Sequence, residues 1–257
     1  MNNSKISLTI LTKNESDVLK KNLNWIDQCP AINEIIFVDD ESTDDTLKTI
    51  RSLKFKNCHI KLFERKLNHD FSSQRQFAIS KTSNNLVLWL DPDEHPSNEI
   101  IGLLNNIDKH QYDNYAFLRS DIFLDKELKH GETSSQYFLR LFDKRYGQFI
   151  NQVHETWQSS KPVRNFDFPI IHHPHSSLKT FIEKINFYTD IRSQELHNRG
   201  VKTNILQIIF YPLAKFIQNY FLRLGFLDGT PGIIIALGMS FHSFLVRAKL
   251  WTLQNQS

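Results

Sequence analysis

The chain has 257 residues, of which 23% are charged and 40% hydrophobic, and its formal net charge is +3. This is the composition of a folded protein, long enough for one large α/β domain with a tail or for two small domains. The small net charge gives no reason to expect a nucleic-acid partner. Cys29 and Cys58 have no nearby partner in sequence, so neither a zinc site nor a disulfide framework is expected. Residues 1–5 are polar, so no secretory signal is expected, and a cytoplasmic location follows.

The first hundred residues alternate between predicted strands and helices. Strands are predicted over residues 6–11, 34–38, 60–63 and 86–90, and helices over residues 14–24, 47–53 and 72–80. Ser42 or Thr43 can cap the second helix, with Asp44 and Asp45 in its first turn. This alternation predicts an α/β fold with right-handed βαβ units and a mostly parallel sheet.

The pattern changes after Pro96. A helix is predicted over residues 100–107, and two strands over residues 115–124 and 135–142 flank a polar loop at 125–133. A further helix is predicted over residues 178–196.

The C-terminal region, residues 205–250, is rich in apolar side chains with scattered bases. Its segments look too interrupted to span a bilayer, so we expect helices lying in the membrane interface with their bases on anionic headgroups. The alternative is a helical subdomain that packs on the rest of the chain or on a second subunit.

Three carboxylates, Asp91, Asp93 and Glu94, follow a run of five apolar residues. Pro92 ends the predicted strand, so the acids lie at the carboxyl end of a strand, where open α/β sheets bind ligands. Clustered carboxylates repel one another unless a cation compensates, and Mg²⁺ prefers one or two carboxylates together with substrate phosphates. The alternative is an ordinary polar turn.

The first two strands also end in polar groups. Thr12, Asn14 and Glu15 follow the first strand, and Asp39 and Asp40 follow the second. In a parallel sheet both ends meet at one crevice, where carboxylates can accept hydrogen bonds from a base or a ribose. No glycine-rich dinucleotide motif follows the first strand. For Asp44, helix capping remains open beside a ligand role.

Four side chains elsewhere are candidates for the same site. Arg75, on the third helix, can face the crevice and pair with Asp91 or a phosphate, or form a surface salt bridge. Glu155 lies among apolar residues, which favours proton uptake and suits a general base, although an ordinary loop acid is the alternative. Arg140 is the one base of an alternating strand, and His172 begins a histidine-rich turn that could ligate a metal.

Together these segments resemble the family 2 glycosyltransferases of the GT-A fold. The match runs in order through Leu11–Thr12–Lys13–Asn14–Glu15, Val38–Asp39–Asp40–Glu41–Ser42–Thr43–Asp44, Gln74–Arg75 and Leu90–Asp91–Pro92–Asp93–Glu94. The second half is similar to the bacterial lipopolysaccharide-core glucosyltransferases. That likeness includes Lys129–His130–Gly131, Leu139–Arg140–Leu141–Phe142, Val153–His154–Glu155, Ile171–His172, Glu183–Lys184–Ile185–Asn186–Phe187–Tyr188 and Gly225–Phe226–Leu227–Asp228–Gly229.

The resemblance implies a GT-A sandwich over residues 1–200, with a nucleotide-binding half at 1–96 and an acceptor-binding half at 97–200, and an amphipathic helical tail at 201–257. It also implies site residues. Those implied for the sugar nucleotide are Thr12, Asn14, Glu15, Asp39, Asp40, Arg75, Asp91 and Arg140. Asp93, with His172, would hold Mg²⁺ or Mn²⁺, and Glu155 would be the catalytic base. Pro92 and the His173–Pro174–His175 segment depart from the family pattern.

The resemblance implies an inverting, metal-dependent transfer of a sugar from a nucleotide-sugar donor, with uridine as the expected nucleotide by family likeness. The expected acceptor is a lipopolysaccharide core or another glycolipid or glycan. The enzyme would be peripheral on the inner face of the cytoplasmic membrane, held there through residues 205–250. Two alternatives remain. A nucleotidyltransferase would need a glycine-rich basic loop near residues 12–17, and a non-catalytic glycan-binding relative would not need Asp91, Asp93 and Glu155.

Overall fold

The structure is a computed structural model, and it describes residues 5–68, 70–107, 114–133, 136–150, 155–174 and 177–255. The chain forms two compact units. The first contains Met1–Arg119 and Gln136–His172, and the second contains Ser120–Ser135 and His173–Ser257. The helix that precedes residue 200 packs within the second unit.

The N-terminal part of the first unit is a parallel β-sheet with its connecting helices. Its strands are β1 (Ile6–Thr12), β2 (Ile32–Asp39), β3 (His59–Glu64) and β4 (Leu86–Leu90), and its helices are α1 (Ser16–Asn22), α2 (Thr46–Ser52) and α3 (Phe71–Ser80). The order is β3-β2-β1-β4, all parallel, as predicted. Thr12 pairs with Asp39, and Asp39 with Glu64, so these strands end level with one another.

The start of α2 differs from the prediction that Ser42 or Thr43 caps it. The helix begins at Thr46, and Asp45 is its N-terminal flanking residue. Ser42 instead donates to Asp39, and the Thr43 N–H donates to the Asn14 side chain. These local hydrogen bonds hold residues 42 and 43 in a loop because they compete with helical bonding.

The rest of the first unit is largely antiparallel. In chain order the further strands of the chain are β5 (Glu94–Pro96), β6 (Asn114–Phe123), β7 (Lys126–Leu128), β8 (Tyr137–Asp143), β9 (Gly147–Ile150), β10 (Thr156–Ser159) and β11 (Val163–His172), with helix α4 (Asn98–Asn105). Of these, β7 and the end of β6 belong to the second unit. The sheet continues from β4 through β8, β6, β11 and β5, and β8 is antiparallel to both β4 and β6. The predicted strands near residues 115–124 and 135–142 are confirmed as β6 and β8.

The β9–β10 hairpin was not predicted. Its four-residue strands are too short to show a period, and their pairing depends on a distant aromatic cluster. Trp157 of β10 stacks on Phe142 with ring centroids 3.9 Å apart and meets Phe149 edge to face. This cluster, which also contains Trp89 of β4, attaches the hairpin to the sheet.

The second unit contains three long helices, α5 (Leu178–Asn198), α6 (Ile205–Ile217) and α7 (Gly229–Asn255), and strand β7 paired with the end of β6. A capping box between Ser177 and Thr180 starts α5. Helix α7 packs on α5 at Gly238, where a Cβ atom would lie 2.4 Å from the Phe181 ring.

Two expectations for the second unit need correction. The segment at 125–133 is not only a polar loop, because β7 and a 3-10 turn at Gly131–Thr133 lie in it. The expectation that no C-terminal segment could span a bilayer is also wrong by length and composition. Among the described residues, Gly225–Asn255 forms 31 helical residues with a mean hydropathy of 1.5 in its most apolar stretch, and 28% of that stretch is buried. The prediction had counted only uninterrupted apolar runs.

Candidate active site

The site begins where strand β4 ends. Pro92 cannot donate to a strand ladder, and the chain turns there from β4 into β5. The Glu94 N–H donates to the Asp91 carbonyl at 3.0 Å, and the Asp91 N–H donates to the Glu94 carboxylate at 3.1 Å. The Asn22 amide closes the turn by donating to the Pro92 carbonyl at 3.0 Å. Asp91 and Asp93 therefore project from a tight turn, and Glu94 returns into the protein.

Two buried arginines compensate these acids. Arg75 Nη2 lies 2.9 Å from Asp91 Oδ1, and Arg140 Nη2 lies 2.6 Å from Glu94 Oε1 and 3.5 Å from Asp91 Oδ2. Burial alone would raise the pKa of Asp91, but the charges of Arg75 and Arg140 outweigh it and hold that pKa well below its usual range. Asp91 is therefore ionised, and its charge is already balanced by the two arginines.

Glu94 and Arg140 form the deepest ion pair of the site, with only 1% and 3% of their side chains exposed. Burial raises the pKa of Glu94, and the nearby charge of Asp91 adds to this, while Arg140 opposes it. Burial lowers the pKa of Arg140, but Glu94 and Asp91 outweigh it, so the net pKa is raised and the guanidinium stays charged. Because Glu94 has little access to solvent, its role is to hold Arg140 and the turn.

The ring of Trp89 contacts both arginines through cation–π interactions. The guanidinium carbons of Arg75 and Arg140 each lie 3.8 Å from the centroid of its ring. Trp89 in turn meets Phe149 of the β9–β10 hairpin edge to face, with centroids 5.6 Å apart. Cation–π contacts of this kind orient guanidinium groups and are worth about 0.5–2 kcal/mol each. Sequence analysis missed this role because Trp89 reads as one more apolar residue of a buried strand.

Glu155 lies against Arg75. Arg75 Nε donates to Glu155 Oε1 at 2.6 Å while its Nη2 holds Asp91, so one guanidinium bridges the end of β4 and the start of β10. The Glu155 side chain is 14% exposed, so solvent and a ligand can reach it. Three predicted site residues, Arg75, Asp91 and Glu155, are thus in direct contact. Of the two predicted alternatives for Arg75, the structure shows the pairing with Asp91 in the crevice and not a surface salt bridge.

Asp93 and His172 form a second pair. Asp93 Oδ2 and His172 Nε2 are 3.6 Å apart, with 20% and 13% of their side chains exposed. His172 ends β11, which pairs with β5 so that His172 lies opposite Glu94. Of the remaining histidine candidates, His173 is exposed, and His175 lies outside the described residues. Within the described ranges, no group of three or more His, Cys, Asp or Glu residues is arranged to hold a metal ion on its own.

Asp39 shapes the loop on the other side of β1. Its carboxylate is fully buried and accepts from Thr12 Oγ1 at 2.9 Å, from the Ser42 N–H at 2.8 Å and from Ser42 Oγ at 2.6 Å. Asn14, with a φ of +57°, accepts from the Thr43 N–H at 2.8 Å. Through these hydrogen bonds Thr12 and Asn14, at the end of β1, are joined to Asp39 and the loop that follows β2.

Asp40 and Glu15 lie nearer to the solvent. Asp40 accepts from Lys13 Nζ at 2.6 Å and from the Leu67 N–H at 2.8 Å. Burial would raise the pKa of Asp40, but these two contacts outweigh it and lower that pKa. Glu15 is half-buried at the start of α1, where its N–H donates to Thr46 Oγ1 at 2.8 Å. Asp44 binds the Ser16 and Thr46 N–H groups, so it fastens both helix starts.

Comparisons with known proteins concern the chain as a whole. The model of the family described as Glycosyl transferase family 2 matches residues 7–186, well over half of the chain. A protein of Rickettsia typhi described as an uncharacterized glycosyltransferase is 28% identical, with 98% of this chain and 89% of the relative aligned. The lipopolysaccharide core biosynthesis glycosyltransferase LpsC of Rhizobium meliloti is 23% identical, with 96% and 92% aligned.

Among solved structures, the mannosyltransferase PcManGT from Pyrobaculum calidifontis, in complex with GDP-Man and Mn²⁺, is similar with a TM-score of 0.50 and 12% identity. The match covers 98% of this chain and 76% of that one. This likeness concerns the fold, and it confirms the predicted α/β fold of the GT-A type. From the family match over residues 7–186, we conclude that the chain belongs to glycosyl transferase family 2 and is a glycosyltransferase.

Proposed function

We propose that the chain is an inverting, metal-dependent hexosyltransferase that transfers a sugar from a nucleotide donor to a lipopolysaccharide core or another glycolipid. One observation carries this proposal. Arg75 joins Asp91 at the end of β4 to Glu155 at the start of β10, while Asp93 remains outside that ion pair. Three carboxylates thus have three different environments, which suits three different roles.

Asp93 and His172 are the residues that fit a divalent ion. They offer one carboxylate oxygen and one imidazole nitrogen 3.6 Å apart, and both side chains are partly exposed. Two protein ligands suit an ion whose remaining positions are filled by water and phosphate oxygens. The Mn²⁺ in the structure of the similar mannosyltransferase supports this choice of metal. When bound, the ion would neutralise charge on the donor diphosphate.

The nucleotide would lie over the ends of β1 and β2. Glu15 is partly exposed there and Asp40 is buried, and we assign both to the base and ribose. The loops after β1 and β2 are held together by the hydrogen bonds of Thr12, Asn14 and Asp39. We therefore assign these three residues to shaping the pocket. Arg140 and Arg75 are assigned to the diphosphate side of the site, where they hold Asp91 at the end of β4. The uridine preference is proposed by family likeness.

Glu155 would be the general base. Its carboxylate takes the proton of the acceptor hydroxyl while that oxygen bonds to the anomeric carbon of the donor sugar. The bond from the anomeric carbon to the diphosphate oxygen breaks at the same time, and the nucleoside diphosphate leaves with the electron pair. Attack opposite the leaving group inverts the anomeric centre. Arg75 orients Glu155 in its resting position, because it donates to Oε1 at 2.6 Å.

The acceptor and the location are proposed from two supports. The similarity to LpsC of Rhizobium meliloti favours a lipopolysaccharide-core acceptor. The apolar C-terminal helices, with their excess of bases, favour a peripheral position on the inner face of the cytoplasmic membrane, where such an acceptor would be exposed.

A thermal-shift panel of sugar nucleotides, with and without Mn²⁺, tests the donor side. We expect one donor to raise the melting temperature in the presence of Mn²⁺, since a ligand that binds only the folded state stabilises it. Asp93→Asn should remove the Mn²⁺-dependent part, and Asp17→Asn, an exposed acid on α1, is the matched control. Stabilisation by free nucleoside triphosphates instead would favour a nucleotidyltransferase. Donor binding without release of nucleotide would favour a non-catalytic relative.

A further inference from the structure

Helix α6 exposes its apolar side chains to an unusual degree. None of its 13 residues is buried. Leu206, Phe210, Leu213 and Ile217 follow one another at helical spacing and are 60%, 57%, 54% and 50% exposed. Isolated exposed leucines are ordinary on proteins, but a continuous apolar stripe marks a surface that binds another protein or a membrane.

The stripe continues onto neighbouring parts of the second unit. An open groove of about 380 Å³ separates α6 from α7, and Leu237, Phe241 and Phe244 line its α7 side. Beyond the end of α6, Leu222 in the π-helical turn Gln218–Leu222 is 75% exposed. The apolar surface therefore follows the whole length of α6.

Bases outnumber acids in the sequence of this region, although Lys215 of α6 is paired with Glu132 at 2.8 Å and Lys249 of α7 with Asp190 at 2.6 Å. Residues 201–257 contain five lysines and arginines and one acid, Asp228. Asp228 is buried and accepts from the His130 N–H at 2.9 Å and from the His130 ring at 2.8 Å, so its charge is used inside the unit. Lys202 and Arg223 are exposed just before and just after α6. Bases at both ends of an apolar stripe complement anionic lipid headgroups.

Helix α7 is longer than α6 and lies within the candidate membrane span, but its contacts hold it on α5. Gly238 lies against Phe181. Lys249 Nζ binds the Asn186 carbonyl at 2.9 Å, Thr189 Oγ1 at 2.9 Å and Asp190 Oδ1 at 2.6 Å. Insertion of α7 across a bilayer would break these contacts with α5. In the second unit α7 thus packs against both α5 and α6.

We infer that α6 lies flat in the interface of an anionic membrane, with Leu206, Phe210, Leu213 and Ile217 among the acyl chains and Lys202 and Arg223 on the headgroups, while α7 supports it from behind without spanning. This inference rests on the membrane association proposed above and names the element that makes it. It also explains how the second unit can be apolar yet carry several bases, since an interfacial helix needs both features.

Flotation of the full-length protein with lipid vesicles tests the inference. We expect binding to vesicles of phosphatidylglycerol and phosphatidylcholine, and at least tenfold weaker binding to phosphatidylcholine alone. Leu206→Ser with Phe210→Ser should lower binding to the anionic vesicles at least tenfold. The matched control is Phe187→Ser with Tyr188→Ser on α5, whose side chains are 60% and 56% exposed. Equal losses in the two variants, or no loss in either, would overturn the inference.

Two further measurements distinguish interfacial membrane binding by α6 from self-association of the chain and from a transmembrane α7. If α6 instead binds a second copy of the chain, the α6 variant will change the mass in light scattering and leave flotation unchanged, which contradicts the inference. An environment-sensitive dye on cysteines placed at 206 and 217, in a Cys58→Ser background, should report the same shallow depth at both positions. If the same dye, placed at positions 237 and 251 of α7, reports different membrane depths, α7 spans the bilayer and the inference is overturned. Donor-dependent thermal stabilisation in solution should be the same in the α6 variant, so failure of membrane binding is distinguishable from failure of the catalytic proposal.

Discussion

Replacement of Arg140 by methionine should destabilise the protein strongly. The guanidinium is almost fully buried and lies 2.6 Å from Glu94 and 3.5 Å from Asp91. Methionine keeps much of the side-chain volume and removes the charge. The variant leaves Glu94 without its direct cation and leaves Asp91 with Arg75 alone. Removing one partner of a buried ion pair costs about 3–5 kcal/mol, because the other charge stays buried and uncompensated.

The second replacement, Glu94→Gln, separates this electrostatic cost from packing. The amide oxygen of glutamine can still accept from the Asp91 N–H, and the double variant no longer buries an unpaired carboxylate at position 94. We therefore expect the double variant to be at least about 2 kcal/mol more stable than the sum of the two single effects, a coupling typical of contacting residues.

Urea unfolding at pH 7, followed by circular dichroism, measures all four proteins of this cycle. The cost of Arg140→Met should also shrink as the pH falls from 8 towards 5. Loss of Arg140 raises the pKa of Glu94 further above its value in the unfolded chain. At a pH above that unfolded value the ionised Glu94 carboxylate destabilises the folded state, and this cost disappears once Glu94 is protonated at lower pH. A cost below about 1 kcal/mol for Arg140→Met, or additive single effects, would refute the reasoning.

Three further outcomes are expected. Hydrogen bonds from Ser7, Lys61 and Ser83 overcome the burial of Glu34 and lower its pKa from 4.5 to about 2. Glu34 therefore stabilises the fold above pH 4.5 and loses this effect as the pH falls towards 2. Glu34→Gln should cost up to about 3 kcal/mol at pH 7 in urea unfolding and almost nothing near pH 2; an equal cost at both would contradict this. Gly238→Ala should destabilise by about 1–3 kcal/mol, because its Cβ would meet the Phe181 ring at 2.4 Å. Gly102→Ala on α4, where nothing lies within 4 Å of the Cβ position, should stabilise by about 0.5–1 kcal/mol, and thermal unfolding that ranks these two variants the other way would be contrary to the packing described.

The parallel half of the fold could be predicted because its signals are local. Each strand is a short apolar run followed by polar residues, and β4 was placed at its observed bounds from Leu86–Leu90 alone. The convergence of Thr12 with Asp39 then follows from parallel pairing, without any knowledge of side-chain contacts.

The details of the site could not be predicted in the same way. Trp89 lies between sequence-distant arginines, and nothing in a five-residue apolar strand marks one residue as a platform for charges. Ser42 was assigned to a helix cap because its residue type suits one, whereas its hydrogen bonds to Asp39 depend on the neighbouring strand ends. Pairings between distant segments depend on tertiary packing, and a local pattern carries no information about them.

The most direct test of the central claim is the rate at which the protein releases nucleoside diphosphate from the donor found in the thermal-shift panel, with Mn²⁺ present, for wild type and Glu155→Gln. A positioned general base contributes about 10²- to 10⁴-fold, so the turnover rate of Glu155→Gln should fall by at least about a hundredfold while its donor affinity stays within a factor of two. Wild-type turnover in Glu155→Gln would contradict the role of Glu155 as the base, and with it the mechanism proposed for this glycosyltransferase.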